Sequence, residues 1–267
     1  MHFGATLQLL RNHAGLSLRG LGLQVGVSAA YLSRVEHGRD AAPTAERVLA
    51  IAAALRLPGA LLLEILELLG GDAGEWLRAT PIGRRLAAEL RLRSLSEAQL
   101  ARVLAFVQRE FPLGPEAERR TVRGFLCADS VLVRVRVHQI DDAWTLAALR
   151  LGAGREAESL LGSLRASAAT NTTCLGDGVA VSFVGGAGPL RIALVVSELA
   201  MALVGPDAIP VQVVWVLIGL SPGLTGAAAL TAVARLAEPG LVRELLRCTT
   251  PEAVLGVVER AEGIAPP

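Results

Sequence analysis

Side chains with the chemistry for catalysis or ligand binding are few in this sequence, and they are dispersed. Hydroxyls gather in one stretch, where Thr172, Thr173 and Ser182 flank a Gly176-Asp177-Gly178 turn and are followed by Phe183. Such a set could line a pocket for a polar ligand, with hydroxyl donors and acceptors beside one carboxylate. The alternative is that these are turn and strand-end residues serving their own backbone. His2, His13, His37 and His138 lie apart with no acidic cluster to complete a ligand set, so they read as surface or helix-end histidines and no metal is expected. Cys127, Cys174 and Cys248 show no CxxC or Cys/His spacing and read as reduced core residues. Asp141-Asp142 precedes Trp144 at a helix start, where carboxylates favour the helix dipole. Gly185-Gly186-Ala187-Gly188 has neither the lysine of a P-loop nor dinucleotide spacing and reads as a connector. No cofactor is expected.

The elements that position side chains are clearest between Leu16 and Gly38. Ser17 is a good N-cap for a helix carrying Leu18, Leu21 and Val25 inward, and Gly26 supplies a turn where left-handed backbone costs least. Ser28 caps a second helix in which Tyr31, Leu32 and Val35 pack while Ala29, Ala30, Ser33 and Arg34 fall outward, and Gly38 ends it. A helix over 3–13 precedes this pair, with Phe3, Leu7 and Leu10 at helical spacing. Thr44 is placed to cap a fourth helix through Leu55 with Val48, Leu49, Ile51 and Ala52 inward, and Pro58 opens a fifth running to about Leu69.

Two short amphipathic helices around a tight turn make a helix-turn-helix. Leu10-Arg11, Leu16-Ser17, Leu21-Gly22, Gly26-Val27-Ser28, Leu32, Val35-Glu36-His37-Gly38 and Pro43 give the first 57 or so residues a strong resemblance to the Cro/C1-type (XRE) helix-turn-helix family. That resemblance implies double-stranded DNA as partner, with Ser28, Ala29, Ala30, Ser33 and Arg34 facing bases and Ser17, Arg19 and Arg39 facing phosphates. Arg11 is expected to pack or to pair with Glu36. The sequence departs from the family at Leu18, where a glutamine is usual. Ala29 and Ala30 offer methyl contacts but no hydrogen bonds, which shifts specificity toward Arg34 and DNA shape.

The net charge of +1 conceals an asymmetry, since residues 1–123 hold 16 arginines against 12 carboxylates and residues 124–267 hold 10 against 13. The basic half is the one with the helix-turn-helix pattern. All 26 basic residues are arginine, which fits a genome-wide composition bias better than site selection. No signal peptide is visible at the start, and the longest apolar stretch, Ile209 to Leu220, is too short for a bilayer, so a cytoplasmic protein is expected. Residues 71–123 read as a helical connector. Ser96-Glu97-Ala98-Gln99 is a capping box there, and Leu100, Val103, Leu104, Val107 and Phe111 form a stripe suited to homodimerisation, while Pro112 to Arg123 is the linker.

From Gly124 the pattern changes to strand-length apolar runs at 131–137, 178–184, 190–196 and 211–218. Helical stretches at 153–166, 226–237, 239–247 and 251–261 alternate with them. The expected architecture is multi-domain: an all-α helix-turn-helix head (1–70), a helical connector (71–123) and an α/β domain (124–267) with a largely covered sheet.

Thr172 to Phe183, the run Pro210 to Leu220, Leu230 to Ala237 and Thr250-Pro251-Glu252 together resemble an enzyme IIA domain of the fructose/mannitol type. That family takes a phosphoryl group on a histidine closing the first motif, assisted by a second histidine opening the later helix. Here those positions are Phe183 and, near the second, Ala229, and an upstream Arg-Glu pair becomes Ser167-Ala168. Neither phenylalanine nor alanine can attack phosphorus or donate a proton, so the domain is expected to be catalytically silent, a sensor or protein-contact module, with Thr172, Thr173, Asp177, Ser182 and Phe183 as candidate ligand-pocket residues. The whole then reads as a transcriptional regulator, a repressor by the habit of its family, with a small-molecule or protein effector at the C-terminal domain. Two alternatives stay open: a protein-interaction or antitoxin-like module, and a phosphotransfer protein using a serine or threonine acceptor.

Overall fold

Helix α1, Phe3–His13, packs into a buried core that runs from the N-terminal helices into one face of the C-terminal sheet. The computed structural model describes residues 3–57 and 121–262, apart from 187 and 206, together with single positions between 82 and 106. In the head, α1 is followed by α2 (Leu18–Val25), α3 (Ala29–Glu36) and α4 (Ala45–Ala54). Leu7, Leu9, Leu10, Leu21, Leu32, Val48 and Ile51 are essentially solvent-free and fill the space between them. Gly4 permits the α1–α3 crossing, because a Cβ there would stand 1.9 Å from the carbonyl oxygen of Val35. Of the residues expected inward on α4, Leu49 instead faces outward, and Thr44 sits at the N-cap without a side-chain bond.

In the body, Thr121 and Val122, ahead of the expected boundary at Gly124, are buried. Its first strand is β1 (Val131–Val135), followed by α5 (Ile140–Leu151), α6 (Arg155–Asn171), β2 (Thr172–Gly176), β3 (Val179–Gly185), β4 (Arg191–Ser197) and β5 (Val213–Leu220). Helices α7 (Leu224–Arg235), α8 (Pro239–Arg247) and α9 (Pro251–Ala261) complete it. The sheet is mixed, in the order β1-β4-β5-β3-β2, with parallel β1–β4 and β3–β5 pairs and antiparallel β4–β5 and β2–β3 pairs. All eight residues of β5 are buried, as a central strand covered on both faces requires. Glu262 closes the unit by accepting from the backbone N–H groups of Val122 and Arg123, and Arg123 pairs with Glu259 at 2.7 Å.

Alternation along the strands sends side chains to two different cores. Ala180, Val214, Val216 and Val195 meet Trp144, Ala147 and Leu164 of α5 and α6. Val179, Val181, Phe183, Trp215 and Leu217 share the other core with α7, α9 and the head residues of α1. Strand β2 was not expected: its Asp177-Gly178 tip has left-handed φ values of +53° and +77°, the backbone of a tight two-residue hairpin. Among the three thiols, Cys127 is exposed, against the expectation of a core residue, while Cys174 and Cys248 are half-buried and pack against the two cores. Burial pushes the Cys174 thiol up to about 11, beside the carboxylate of Asp207, and leaves it unreactive.

In the connector, Ser96 and Gln99 form the expected capping box, with Ser96 N–H donating to Gln99 Oε1 at 2.8 Å. Ile82, Leu92 and Phe106 are more than half exposed. The helix opened by Pro58, most of the Leu100–Phe111 stripe and residues 112–120 of the linker lie outside the described residues, as does His2.

Candidate functional site

The frame of the head is set by a buried ion pair. Arg11 Nε and Nη2 donate to Glu36 Oε1 and Oε2 at 2.6 and 2.7 Å, and Arg11 Nη1 donates to the carbonyl of Leu16 at 2.8 Å. One guanidinium thus joins α1, the turn before α2 and the end of α3, a bidentate geometry that fixes orientation as well as proximity. Ser17 Oγ accepts from Gly20 N–H at 3.0 Å and Ser28 Oγ from Tyr31 N–H at 3.1 Å, so each serine caps its helix. Gly26 and Gly38, at φ +72° and +66°, make the turn and the stop.

This frame presents a defined outer surface. Arg19, Ala30, Arg34, His37 and Arg39 are exposed, and Ala29 and Ser33 half-exposed. Arg34 is not unpartnered: its Nε donates to both carboxylate oxygens of Asp40, at 3.1 and 3.0 Å. His37, absent from the expected contact set, stands at the C-cap of α3, where Nδ1 lies 2.6 Å from the carbonyl oxygen of Ser33. An open cleft of about 520 Å³ runs between α2 and the start of α3, lined by Arg19, Gly22, Leu23, Gly26, Val27 and Ala29. Leu23 is 86% exposed beside it.

The candidate pocket residues of the body are divided: Thr172 and Ser182 come together, and Thr173, Phe183 and Asp177 lie apart from them. Strand alternation puts Thr172 and Ser182 on one face of the sheet and Thr173 and Phe183 on the other, while Asp177 sits at the hairpin tip. Ser182 is 1% exposed, and its hydroxyl accepts from Trp144 Nε1 at 2.8 Å and lies 3.1 Å from Thr172 Oγ1. Asp177 N–H donates to Asp207 Oδ2. The Ser182 and Thr172 hydroxyls fasten α5 to the sheet through Trp144. Asp141 pairs with Arg165 at 2.6 Å, which holds its carboxyl below the usual range, so the Asp141-Asp142 pair is structural.

Over the opposite face lies a contact that the sequence did not reveal. Helix α1 ends on the body, where Asn12 Nδ2 donates to the carbonyl of Thr170. The His13 ring stands edge-on to Phe183 at 6.0 Å and 66°, with Nε2 2.9 Å from the carbonyl oxygen of Ser221. Gly226, on the first turn of α7, leaves the room: a Cβ there would come within 2.5 Å of His13 Nε2. Burial pushes the His13 pKa below its ordinary value, against the opposing effect of the Ser221 carbonyl. A neutral ring donating from Nε2 satisfies this arrangement.

Residues 2–65 match the family model described as a helix-turn-helix domain. This part of the chain is similar to helix-turn-helix domains. The matched stretch contains α1 to α4, and its first helix is the one that contacts the body. Comparison with curated proteins finds no relative. Among solved structures, the crystal structure of nitrogen regulatory protein IIA-Ntr from Neisseria meningitidis is similar at 20% identity and a TM-score of 0.45, covering 51% of this chain and 98% of that one. Among the described residues no helix is long and apolar enough to cross a membrane.

Proposed function

We propose that this protein is a sequence-specific, double-stranded-DNA-binding transcriptional regulator, a repressor, whose helix-turn-helix domain reads the major groove with α3. The observation that carries the reading is the outer surface of that domain: Arg19 stands exposed at the start of α2, and Arg34 and Arg39 at and just beyond the end of α3, while the buried Arg11–Glu36 pair fixes α3 against α1. Arg34, Ser33 and Ser28 then meet base edges, the methyl groups of Ala29 and Ala30 meet thymine methyls, and Ser17, Arg19 and Arg39 meet the backbone. The Arg34–Asp40 pair, with side chains 49% and 30% exposed, is an exchangeable one worth about 0–1 kcal/mol, so a phosphate or guanine can replace the carboxylate at low cost.

One recognition helix makes few base contacts, and a homodimer on paired half-sites supplies the rest. Exposed Ile82, Leu86, Leu92 and Phe106 in the connector favour a second copy there. Light scattering on the purified chain tests this, with a dimer mass expected at micromolar concentration.

The body acts as a silent regulatory domain in the cytoplasm and carries no catalytic residue. Supporting this, of the hydroxyls that a Ser/Thr phosphoacceptor would use, Ser182 and Thr173 are 1% and 2% exposed, and the half-buried Thr172 is within hydrogen-bond reach of Ser182. Labelled phosphoenolpyruvate with the phosphocarrier proteins is expected to leave the chain unlabelled. Contact through His13 and Asn12 gives the body a direct hold on α1, which offers an effector a route to the head.

A second reading, a protein-interaction or antitoxin-like module, draws support from Leu23, whose 86% exposure beside the α2–α3 cleft suits an apolar partner. A mobility-shift series in rising salt separates the two, because phosphate contacts make duplex binding steeply salt-dependent.

A further inference from the structure

The end of the sheet away from the head carries a second constellation. Strand β4 ends at Ser197, and its Val196 pairs with Val213, the first residue of β5, whereas His13 meets Ser221, just beyond the last residue of β5. At that far end an open cleft of about 320 Å³ is lined by Arg134, Arg136, Val196, Ser197, Glu198, Leu246 and Cys248. It lies at the carboxyl ends of the parallel pair β1 and β4, the side of an α/β sheet where ligands commonly sit.

Three features of this cleft are not required by the fold. Pairing of β1 with β4 slips between Val133 and Val135, leaving Arg134 as an extra, bulged residue. Arg134 has φ +56°, a left-handed conformation that costs a non-glycine residue about 1 kcal/mol or more. The slip places Arg134 and Arg136 together on one carboxylate: Arg134 Nε donates to Glu198 Oε1 at 2.7 Å and Arg136 Nε to Oε2 at 3.0 Å. Two guanidiniums on one carboxylate leave the cluster with an excess of positive charge, and each guanidinium keeps further N–H donors beyond those spent on Glu198. Beside them, Val196 and the 37%-exposed Leu246 give the cleft an apolar wall.

We propose that this cleft binds a small organic phosphate, its phosphate held by Arg134 and Arg136 in forked hydrogen bonds and its carbon skeleton laid on Val196 and Leu246. Glu198 aligns the two guanidiniums from below and limits the affinity for anions by competing for the same donors. Binding here does not depend on whether the head binds duplex.

Isothermal titration of the full chain with glycerol 3-phosphate at low ionic strength tests the site, with glycerol as the neutral control. Saturable binding is expected for the phosphate and none for glycerol. Arg136→Ala should weaken binding roughly tenfold or more, the consequence of losing one charge-assisted contact. Glu198→Gln should tighten it several-fold. Arg134→Gly should abolish it while raising the melting temperature, because glycine adopts the left-handed backbone without strain. Inorganic phosphate should bind more weakly than glycerol 3-phosphate. No saturable heat, equal affinity for inorganic phosphate, or unchanged affinity in Arg136→Ala would each overturn the assignment.

Discussion

His13 Nε2 lies 2.9 Å from the carbonyl oxygen of Ser221, 208 residues further along the chain, and this contact joins the N-terminal helical head to the α/β body. His13 is the last residue of α1 and the buried Arg11 lies on the same helix, so the junction and the ion pair that orients α3 are built on one element.

The junction should respond to acid. The pKa of His13 is lowered by burial from its ordinary 6.5, so the docked state favours the neutral ring. Above that value both docked and undocked rings are neutral and docking is at full strength. As pH falls below it, the undocked ring takes up a proton first, and docking weakens until the depressed docked pKa is passed. Hydrogen exchange of the α1 amides should therefore accelerate as pH is lowered below about 6.5, after correction for intrinsic rates. His13→Gln, which keeps a donor but cannot titrate, should remove that acceleration.

Gly226→Ala tests the same junction sterically. Its added Cβ would come within 2.5 Å of His13 Nε2 and 2.1 Å of the Ser221 carbonyl oxygen, so the start of α7 must shift and the ring must leave. Loss of α1 protection is expected, with the α5–α6 side of the sheet unchanged in near-ultraviolet circular dichroism.

Arg11→Ala should destabilise the head by about 3–5 kcal/mol, because it strands the buried carboxylate of Glu36. The double replacement Arg11→Met with Glu36→Leu should recover most of that loss. Urea denaturation followed by far-ultraviolet circular dichroism measures both, and a single Arg11→Ala cost below 1 kcal/mol would show that the pair does not organise the head.

How much of this was legible in the sequence follows from the range of the interactions involved. The head was readable because its determinants are local: Ser17 and Ser28 cap within three residues, Gly26 and Gly38 answer to backbone sterics, and the leucines repeat at helical spacing. Strands β1, β3, β4 and β5 announced themselves as apolar runs. Strand β2 did not, since Thr172-Thr173-Cys174-Leu175-Gly176 is short and mixed, although Asp177-Gly178 before an apolar run is a hairpin signal that could have exposed it. The supposed pocket failed on period: Thr172 and Thr173 are neighbours in sequence and therefore point to opposite faces of a strand. His13 was beyond reach of sequence patterning, because Phe183, Ser221 and Gly226 become its neighbours only through the tertiary fold. The strain at Arg134 is likewise a backbone property with no signature in residue type.

Asp40→Asn should increase affinity for duplex DNA several-fold at low salt, since it releases Arg34 from its carboxylate and removes a negative charge from the recognition surface. Arg34→Ala should reduce the preference for specific over random duplex, and Arg39→Ala should weaken both alike. Equal losses on both duplexes for Arg34→Ala would remove it from base reading.

The central claim is tested most directly by fluorescence anisotropy of the full chain on duplexes selected from a random library, titrated from 50 to 200 mM salt as conditions under which phosphate contacts are strongly screened. Duplex DNA binding is predicted, with log affinity falling steeply and linearly with log salt and a shallower slope in Arg39→Ala. Failure to enrich any duplex, or an affinity indifferent to salt and to Arg39→Ala, would contradict it.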